Sequence, residues 1–391
     1  MSGMRTAAAV GLASLPAMGP RRLDSLLKVW EPEEAWRRIT GGDRVVGQVL
    51  DGRLGKEPAE VLSRWTTAAR VLDPVEALEA HRRSGIEVLV RGEPGYPHLL
   101  LDDPEPPVAL FVRGDLEVLD TRRVAIVGTR RCTRSGRLTA REIAADLAAG
   151  GVAVVSGLAL GIDGAAHEGA LSVDGGAAPV GVVGTGLDRV YPKRNAALWE
   201  RVAVEGLLVS EVPMGSGPSP WRFPARNRII AALSEVILVV ESHTTGGALH
   251  TVEEALTRDR EVLIVPGSVR SPASEGTNAL LHAGVGPARD AADVLTALGL
   301  AAPVVGAGEQ PNSAARPEGR AASPGKGHRP GGAVDPRDQA VLDLVGGEPV
   351  NLDRLAESSG LSLGELAVSL VRLESAGCVA RSGGFVERLV R

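Results

Sequence analysis

Short apolar runs alternate with amphipathic stretches through the middle of the chain. Each run is rich in Val, Ile and Leu and only a few residues long, which is typical of strands buried on both faces of a parallel sheet. The runs lie at 124–127, 152–155, 180–183, 207–209, 236–240 and 262–265. Helical periodicity fills the intervals between them. The alternation predicts an extended Rossmann-like α/β fold, in which a doubly wound parallel sheet carries helices on both faces.

The sequence before the first run predicts a small helical domain followed by edge strands and loops. Residues 1–80 have the periodicity of short helices, and 12–27 predicts two helices joined by a Pro-x-Met-Gly turn. Such a turn is typical of a helix-hairpin-helix or SAM-like domain that holds a backbone phosphate, although a plain helical connector has the same pattern. Apolar pieces separated by prolines at 86–119 predict edge strands and loops. We therefore expect the Rossmann-like domain to span 81–300.

The last part of the chain predicts a linker and a winged helix. Residues 301–333 are rich in Gly, Pro, Ala, Ser and Arg without periodicity, which indicates a disordered linker. Residues 334–391 predict three helices followed by two strands that turn at Gly383 and Gly384. The third helix carries Glu365 and Glu374 against Arg372, a poor surface for the major groove. We therefore favour a protein-contact or regulatory role over direct duplex readout.

Charge and cysteine content exclude several classes of protein. The net charge is -5, so any nucleic-acid binding requires a local basic patch. Cys132 and Cys378 lie far apart with no CxxC pair, which argues against a disulfide framework or a zinc site and fits a reducing cytoplasm. The sequence lacks a signal-peptide pattern and any apolar run of about 18 residues. We expect neither export nor membrane insertion.

A glycine turn after the first strand is the first candidate site. Such a turn, running into a helix N-terminus at the carboxyl edge of a sheet, offers backbone N–H groups to an anion. Here the turn begins at Gly128 and Thr129 and also carries three cations, at Arg130, Arg131 and Arg134. The pattern predicts a phosphate-binding pocket. Neither a dinucleotide fingerprint nor a P-loop is present, since Arg189 stands where Gly184-x-Gly186 needs its third glycine and no Gly-Lys-Ser/Thr follows the strand. We predict no cofactor.

Similar turns follow the later strands, at 156–163, 184–195 and 210–228. They are expected to converge at one edge of the sheet and to place cations and hydroxyl groups around one crevice. These residues are Arg130, Arg189, Lys193, Arg222, Arg226, Arg228, Ser156, Thr185 and Thr245. Tyr191, Trp221 and Phe223 lie among the cations. Interleaved aromatic and basic residues suit single-stranded nucleic acid, although core packing is the alternative for each aromatic.

The histidines and acidic residues give little support to catalysis or metal binding. Asp163 and His167 are four residues apart and share a helix face, but no third ligand accompanies them. We favour a helix N-cap Asp and a structural or phosphate-facing His over a metal or acid–base pair. His243 and His250 are isolated, and neither GxSxG nor a spaced carboxylate pair occurs. We predict no metal site and no catalytic residues.

A series of segments then resembles a known family. VAIVGTRRCTRSG, VSGLALGIDGAAHEGAL, GVVGTGLDRVYPKRN, FPARNRIIAALSEVILVVES and REVLIVPGS follow one another between about 86 and 300. Their order and spacing resemble the DprA (Smf) family of DNA-processing proteins. The resemblance implies a cytoplasmic homodimer that binds single-stranded DNA and loads the recombinase RecA on incoming strands during natural transformation. It implies no catalysis.

The resemblance also implies roles for individual residues. Arg130, Lys193, Arg226 and Arg228 would contact phosphates, and several glycines would shape the pocket. The candidate DNA-binding residues are Gly128, Thr129, Arg130, Ser156, Gly157, Gly161, Lys193, Arg222, Arg226, Asn227, Arg228, Thr245 and Gly246. Leu160 and Ala279 stand where the family usually has arginines, so we expect the affinity or the DNA path to differ here.

Two alternatives to DNA binding remain. A nucleotide phosphoribohydrolase of the lysine-decarboxylase-like type would need Pro-Gly-Gly, Gly-Thr and paired glutamates. Gly246, Gly247, Glu253 and Glu254 imitate this signature, but the proline and the Gly-Thr pair are missing. The other alternative, a regulator acting through the winged helix alone, leaves the basic crevice unexplained.

Overall fold

The computed structural model describes residues 2–50, 53–54, 57–300, 336–345, 350–361, 363–375, 378–382 and 385–388. The chain divides into two compact units, Met1–Gly308 and Glu309–Arg391. Within the described ranges, none of the helices has the length and apolar character needed to cross a membrane. The predicted linker at 301–333 lies outside the described residues, and the division into four domains stays a prediction.

The first unit begins with a group of short helices. They are α1 (Ser2–Ala13), α2 (Pro20–Leu27), α3 (Pro32–Gly41), α4 (Val45–Val49), α5 (Pro58–Val71) and α6 (Pro74–Arg83). Four of these begin at a proline, whose fixed φ and missing N–H suit the first helical position. The predicted helix–turn–helix at 12–27 corresponds to α1 and α2. Its turn is closed by Arg22, which donates to the carbonyl oxygens of Ala17 and Arg53.

A mostly parallel sheet follows. Its elements are β1 (Glu87–Val90), α7 (His98–Leu101), β2 (Ala109–Gly114), β3 (Arg123–Val127), α8 (Arg134–Ala149), β4 (Ala153–Ser156), α9 (Ile162–Ala170), β5 (Val180–Val183), α10 (Ala196–Glu205), β6 (Leu207–Ser210), α11 (Arg222–Ala232), β7 (Val236–Val239), α12 (Gly247–Leu256), β8 (Glu261–Ile264), α13 (Glu275–His282), β9 (Gly286–Pro287) and α14 (Ala291–Ala297). All six apolar runs predicted as parallel strands form β3 to β8. The predicted Rossmann-like fold is confirmed.

The strand order within the described chain is β1-β2-β6-β5-β4-β3-β7-β8-β9. The pairs from β6 to β9 are parallel. At the predicted edge, β1 pairs antiparallel with β2, and β2 pairs antiparallel with β6. The chain moves from β3 toward β6 and then returns through α11 to β7, so the order reverses between β3 and β7. Such a switch point leaves a crevice at the carboxyl ends of the strands.

Apolar packing on both sheet faces explains the continuous apolar runs. Every residue of β3, β4, β5, β6 and β7 is buried. The helical segment shares one apolar cluster with this sheet region, since Trp65 and Leu26 belong to the same cluster as Phe111 and Trp199. Residues 1–83 therefore pack as part of the first unit.

The second unit has the predicted helices and strands. They are α15 (Pro336–Leu344), β10 (Val350–Asn351), α16 (Leu352–Ser359), α17 (Leu363–Ser375), β11 (Val379–Ser382) and β12 (Phe385–Arg388). The two predicted strands pair antiparallel, with Ser382 opposite Phe385, and β10 adds a third strand. Gly383 and Gly384, predicted to form the wing turn, lie outside the described residues. On α17, Arg372 lies 3.7 Å from Asp338.

Candidate functional site

The turn after β3 is held tightly against its neighbours. The Thr129 N–H donates to the carbonyl oxygen of Glu241 at 2.7 Å. A Cβ added to Gly128 would lie 2.5 Å from Cγ1 of Ile162 and 2.8 Å from that same carbonyl oxygen, so glycine is required. Packing thus fixes the backbone of the turn, while the Arg130 side chain is exposed.

The helix N-terminus after this turn differs from the expected anion site. The Thr133 N–H and hydroxyl donate to the two Glu241 carboxylate oxygens at 2.8 and 2.5 Å. The Thr133 hydroxyl also accepts from the Gly136 N–H and caps α8. Cofactor-binding Rossmann proteins place a phosphate at this position beside the switch point. Here a carboxylate of the chain occupies it, so a phosphate must be bound elsewhere.

A small recess lies beside the switch point, beyond the carboxyl ends of β4 and β5. Its volume is about 80 Å³. The lining includes Arg130, Gly157, Leu160, Tyr191, Phe223 and Arg226. The structure therefore brings together Arg130, Gly157 and Arg226 with Tyr191 and Phe223, two of the aromatic residues predicted among the cations.

Arg226 forms the floor of this recess. Its side chain is buried, and its Nη1 donates to the carbonyl oxygen of Gly157 at 2.7 Å and to that of Val182. Burial lowers the pKa of Arg226 to about 10, and the nearby Asp163 opposes that shift. A Cβ on Gly157 would overlap the guanidinium. Arg226 therefore positions two sheet-end loops, and Gly157 gives it room.

Asp163 and His167 lie beneath the recess on α9. Both are buried, and burial raises the pKa of Asp163 while Arg226 opposes the rise. Burial also lowers the pKa of His167 to about 4. The imidazole is therefore neutral at pH 7, and His167 has a structural position rather than a place on the open surface.

Aromatic and cationic groups form the rim of the recess. The guanidinium carbon of Arg130 lies 5.6 Å from the centroid of the Phe223 ring. The Tyr191 and Phe223 rings are 5.2 Å apart with an interplanar angle of 31°, and Tyr191 is 41% exposed. Lys193 is exposed two residues beyond Tyr191. This arrangement can stack a planar group on Tyr191 and attract a phosphate to Arg130 and Lys193.

Several other predicted residues have internal partners. The Ser156 hydroxyl is buried and donates to the carbonyl oxygen of Ile126 at 2.6 Å. The Thr185 hydroxyl donates to the carbonyl oxygen of Arg189 at 2.7 Å, and Arg189 pairs with Asp188. These groups hold loops in place instead of facing the recess.

The cations of the fourth loop separate because part of that loop is helical. The segment predicted as a loop over 210–228 becomes helical at Arg222, where α11 begins. Pro224 is tolerated in the first turn, because the N–H that it lacks would have no partner within the helix. Arg228 is buried and pairs with Glu211, and Arg222 donates to the carbonyl oxygen of Gly217. Both line a second cleft.

The remaining candidates belong to the turn after β7 or contact it. The Asn227 side chain donates to the carbonyl oxygen of Gly247 at 3.3 Å. Thr245 is exposed, and a Cβ on Gly246 would overlap the Ser242 hydroxyl. None of Asn227, Thr245 and Gly246 is among the residues lining the recess.

Comparisons with known proteins show the family to which the chain belongs. Residues 87–299 match the family model described as DNA recombination-mediator protein A, and residues 325–384 match the DprA winged helix domain. The chain belongs to the DprA family. The Smf protein of Synechocystis sp. is 35% identical over 331 residues, which cover 80% of this chain and 82% of that protein. Escherichia coli Smf is 36% identical over 302 residues, covering 76% and 75%. The X-ray structure of DprA from Streptococcus pneumoniae has a TM-score of 0.61 and 30% identity, covering 74% of this chain and 95% of that one.

Glu253 and Glu254, the two glutamates that imitate the hydrolase signature, lie away from the recess. Arg258 Nη1 donates to a Glu254 carboxylate oxygen at 2.5 Å, and Arg258 Nε donates to Asp103 at 2.7 Å. Glu253 lies beside His250. Both glutamates line the second cleft, so the structure does not join them to the recess at Arg130.

Glu241 is the structurally important residue that the sequence analysis missed. It follows β7, the strand that pairs with β3, and this location in VVES was the available signal. An acidic residue at that strand end lies directly opposite the glycine turn. Its bonds to Thr133 explain why this DprA-family member lacks a free anion site at α8.

Substitution of Gly161 tests the close packing around Arg130. Gly161 has φ of +84°, and an added Cβ would overlap the Thr129 carbonyl oxygen and lie 2.8 Å from the Arg130 carbonyl carbon. We expect Gly161→Ala to lower the unfolding free energy by roughly 2–4 kcal/mol, through backbone strain and overpacking. Gly175→Ala is the matched control, because Gly175 has φ of +71° and no heavy atom within 4 Å of the added Cβ. Equal losses in denaturant unfolding would contradict the packing argument.

The buried imidazole predicts a pH-dependent contribution to stability. The His167 pKa is about 4 in the folded chain and about 6.5 in the unfolded chain. Its stabilising contribution is therefore complete above pH 6.5 and is lost as the pH falls toward 4, by about 3 kcal/mol in total. Urea unfolding between pH 7 and 4 should show a shallower decline for His167→Leu than for the wild type. Parallel declines would show that His167 is already solvated in the folded chain.

Proposed function

We propose that this chain binds single-stranded DNA at the rim formed by Arg130, Tyr191, Phe223 and Lys193, and acts as a recombination mediator without catalysis. The observation that carries the proposal is the stacked group of Arg130, Phe223 and the exposed Tyr191 above a buried guanidinium. Unpaired bases can stack on Tyr191, whereas duplex bases are already stacked on one another. The phosphates on either side would then lie near Arg130 and Lys193.

The size of the recess supports a polymer ligand over a nucleotide cofactor. Its volume of about 80 Å³ is far below the roughly 300–1,000 Å³ of small-molecule sites. The Glu241 carboxylate at α8 also competes with a bound cofactor phosphate. A strand crossing an open rim needs no enclosed pocket, because its affinity comes from repeated stacking and phosphate contacts.

The predicted site residues take two roles in this proposal. Arg130 and Lys193, both exposed, contact phosphate groups. Arg226 supports the floor through Gly157 and Val182, and Gly128 and Gly161 let the β3 turn pack closely. Arg228 is neutralised by Glu211 and contributes to folding more than to DNA contact.

Family membership supports the proposed role as a recombination mediator. The matching model is described as a DNA recombination-mediator protein, and several relatives are named as DNA-processing proteins. We infer that the chain delivers its bound strand to the recombinase RecA during natural transformation. As the family resemblance implies, it would do so as a cytoplasmic homodimer.

The rim can be tested by separating its electrostatic and stacking contributions. Arg130→Ala should weaken oligo-dT binding and reduce the log–log salt slope by about 0.7, because one phosphate contact is lost. Tyr191→Ala should weaken binding several-fold with an unchanged slope. Arg141→Ala is the matched control, since Arg141 is also exposed on the β3–α8 segment but does not line the recess. Fluorescence anisotropy over a salt series measures both quantities, and an unchanged slope for Arg130→Ala would reject the phosphate contact.

A further inference from the structure

A second and much larger cleft lies on the other side of α11. Its volume is about 1340 Å³, and it separates α2 of the helical segment from the beginning of α11 and from α12. Its lining includes four arginines and a tryptophan, which are Arg21, Arg22, Arg53, Arg222 and Trp221. The family-model match begins at residue 87, so the α2 side of the cleft comes from outside the matched region.

Helix α11 is the wall shared by the recess and the cleft. Phe223 and Arg226 line the recess, whereas Arg222, Ala225 and Arg228 line the cleft. Ala225 and Arg228 point to roughly the opposite side of the helix from Phe223 and Arg226, as a period of 3.6 residues requires. Arg222 reaches the cleft from the first turn. A strand that leaves the recess over the first turn of α11 therefore enters the cleft directly.

The first turn of α11 repeats the chemistry of the rim. Trp221 is 52% exposed, and the guanidinium carbon of Arg222 lies 5.3 Å from a ring centroid of its indole. The same pairing of arginine and aromatic ring occurs at Arg130 and Phe223. The indole also reaches the turn before α2, because a Cβ added to Gly19 would lie 3.8 Å from Trp221. Trp221 thus offers a stacking surface at the mouth of the cleft.

Charge in the cleft is divided between its two sides. Most of its acidic groups are engaged in ion pairs with basic side chains. The pairs are Glu211 with Arg228, Asp24 with Lys28 and Arg91, and Glu254 with Arg258. On the α2 side, Arg22 donates to two carbonyl oxygens. Because carbonyl groups carry no net charge, the positive charge of Arg22 is not neutralised. Arg53 is exposed, and Arg21 is 85% exposed and 3.9 Å from Glu105.

We propose that single-stranded DNA continues from the recess over Trp221 into this cleft, where Arg21 and Arg53 contact its phosphates. The inference rests on the proposed function of the recess and extends it to the helical segment. Crossing α11 spans about 10 Å, the diameter of a helix, so a strand needs only a few nucleotides to pass from the recess to the cleft. The exposed Glu253 on α12 directs the strand toward the α2 side.

Oligonucleotide length separates the two parts of this path. dT4 covers the recess alone, whereas dT12 also reaches the cleft. Trp221→Ala and the double variant Arg21→Ala/Arg53→Ala should each weaken binding of dT12 by about tenfold, consistent with the loss of one stacked base or two phosphate contacts. Both should bind dT4 like the wild type. Arg70→Ala is the control, because Arg70 is an exposed arginine of the helical segment that does not line the cleft.

A second measurement locates the strand without relying on affinity. In dT12 carrying a single 5-iododeoxyuridine, photo-crosslinking to the full-length wild-type chain should reach Trp221 from a position a few nucleotides away from the one that reaches Tyr191. Normal dT12 binding by the cleft variants, or crosslinks confined to the recess, would overturn the extended path while leaving the recess in place. If Arg130→Ala binds both oligonucleotides normally, the proposed function fails with it.

Discussion

The buried guanidinium of Arg226 is the interaction on which the carboxyl edge of the sheet depends. It joins α11 to the loop after β4 and to the end of β5 through the carbonyl oxygens of Gly157 and Val182. Burying a cation costs several kcal/mol unless polar groups surround it, and here carbonyl dipoles and Asp163 provide that compensation. The bonds fix the first turn of α11. Phe223 consequently contacts the Arg130 guanidinium at the recess. Trp221, just before the first residue of α11, lines the cleft.

Glu241 explains how the N-terminus of α8 differs from the phosphate site of cofactor-binding Rossmann proteins. Its carboxylate takes the two donors of Thr133 at the N-terminus of α8, beside the switch point between β3 and β7. Because this anion is part of the chain, both donors of Thr133 are already bonded. Arg130 and Lys193 are both exposed, so their positive charge is accessible from solvent.

The sequence predicted the parts of the structure that depend on local pattern. Apolar β-branched runs located β3 to β8, and prolines indicated the edge strands before them, because burial and backbone restriction act over a few residues. The short β9 at Gly286–Pro287 has no such pattern and was missed. The direction in which each side chain points could not be predicted either. Arg222, Arg226 and Arg228 are close in sequence, yet α11, which begins at Arg222, places Arg226 at the recess and the other two at the cleft. Glu241 required knowledge of which strands pair.

Preference for single strands over duplex is the central claim, and a salt titration tests it most directly. The full-length chain would be titrated with dT12 and with a 12-base-pair duplex over a series of salt concentrations. We predict tighter binding of dT12, with log K falling linearly against log salt at a slope of about -1.4 or steeper, because Arg130 and Lys193 each contribute about 0.7. Equal or tighter binding of the duplex, or single-strand binding that is independent of salt, would contradict the account.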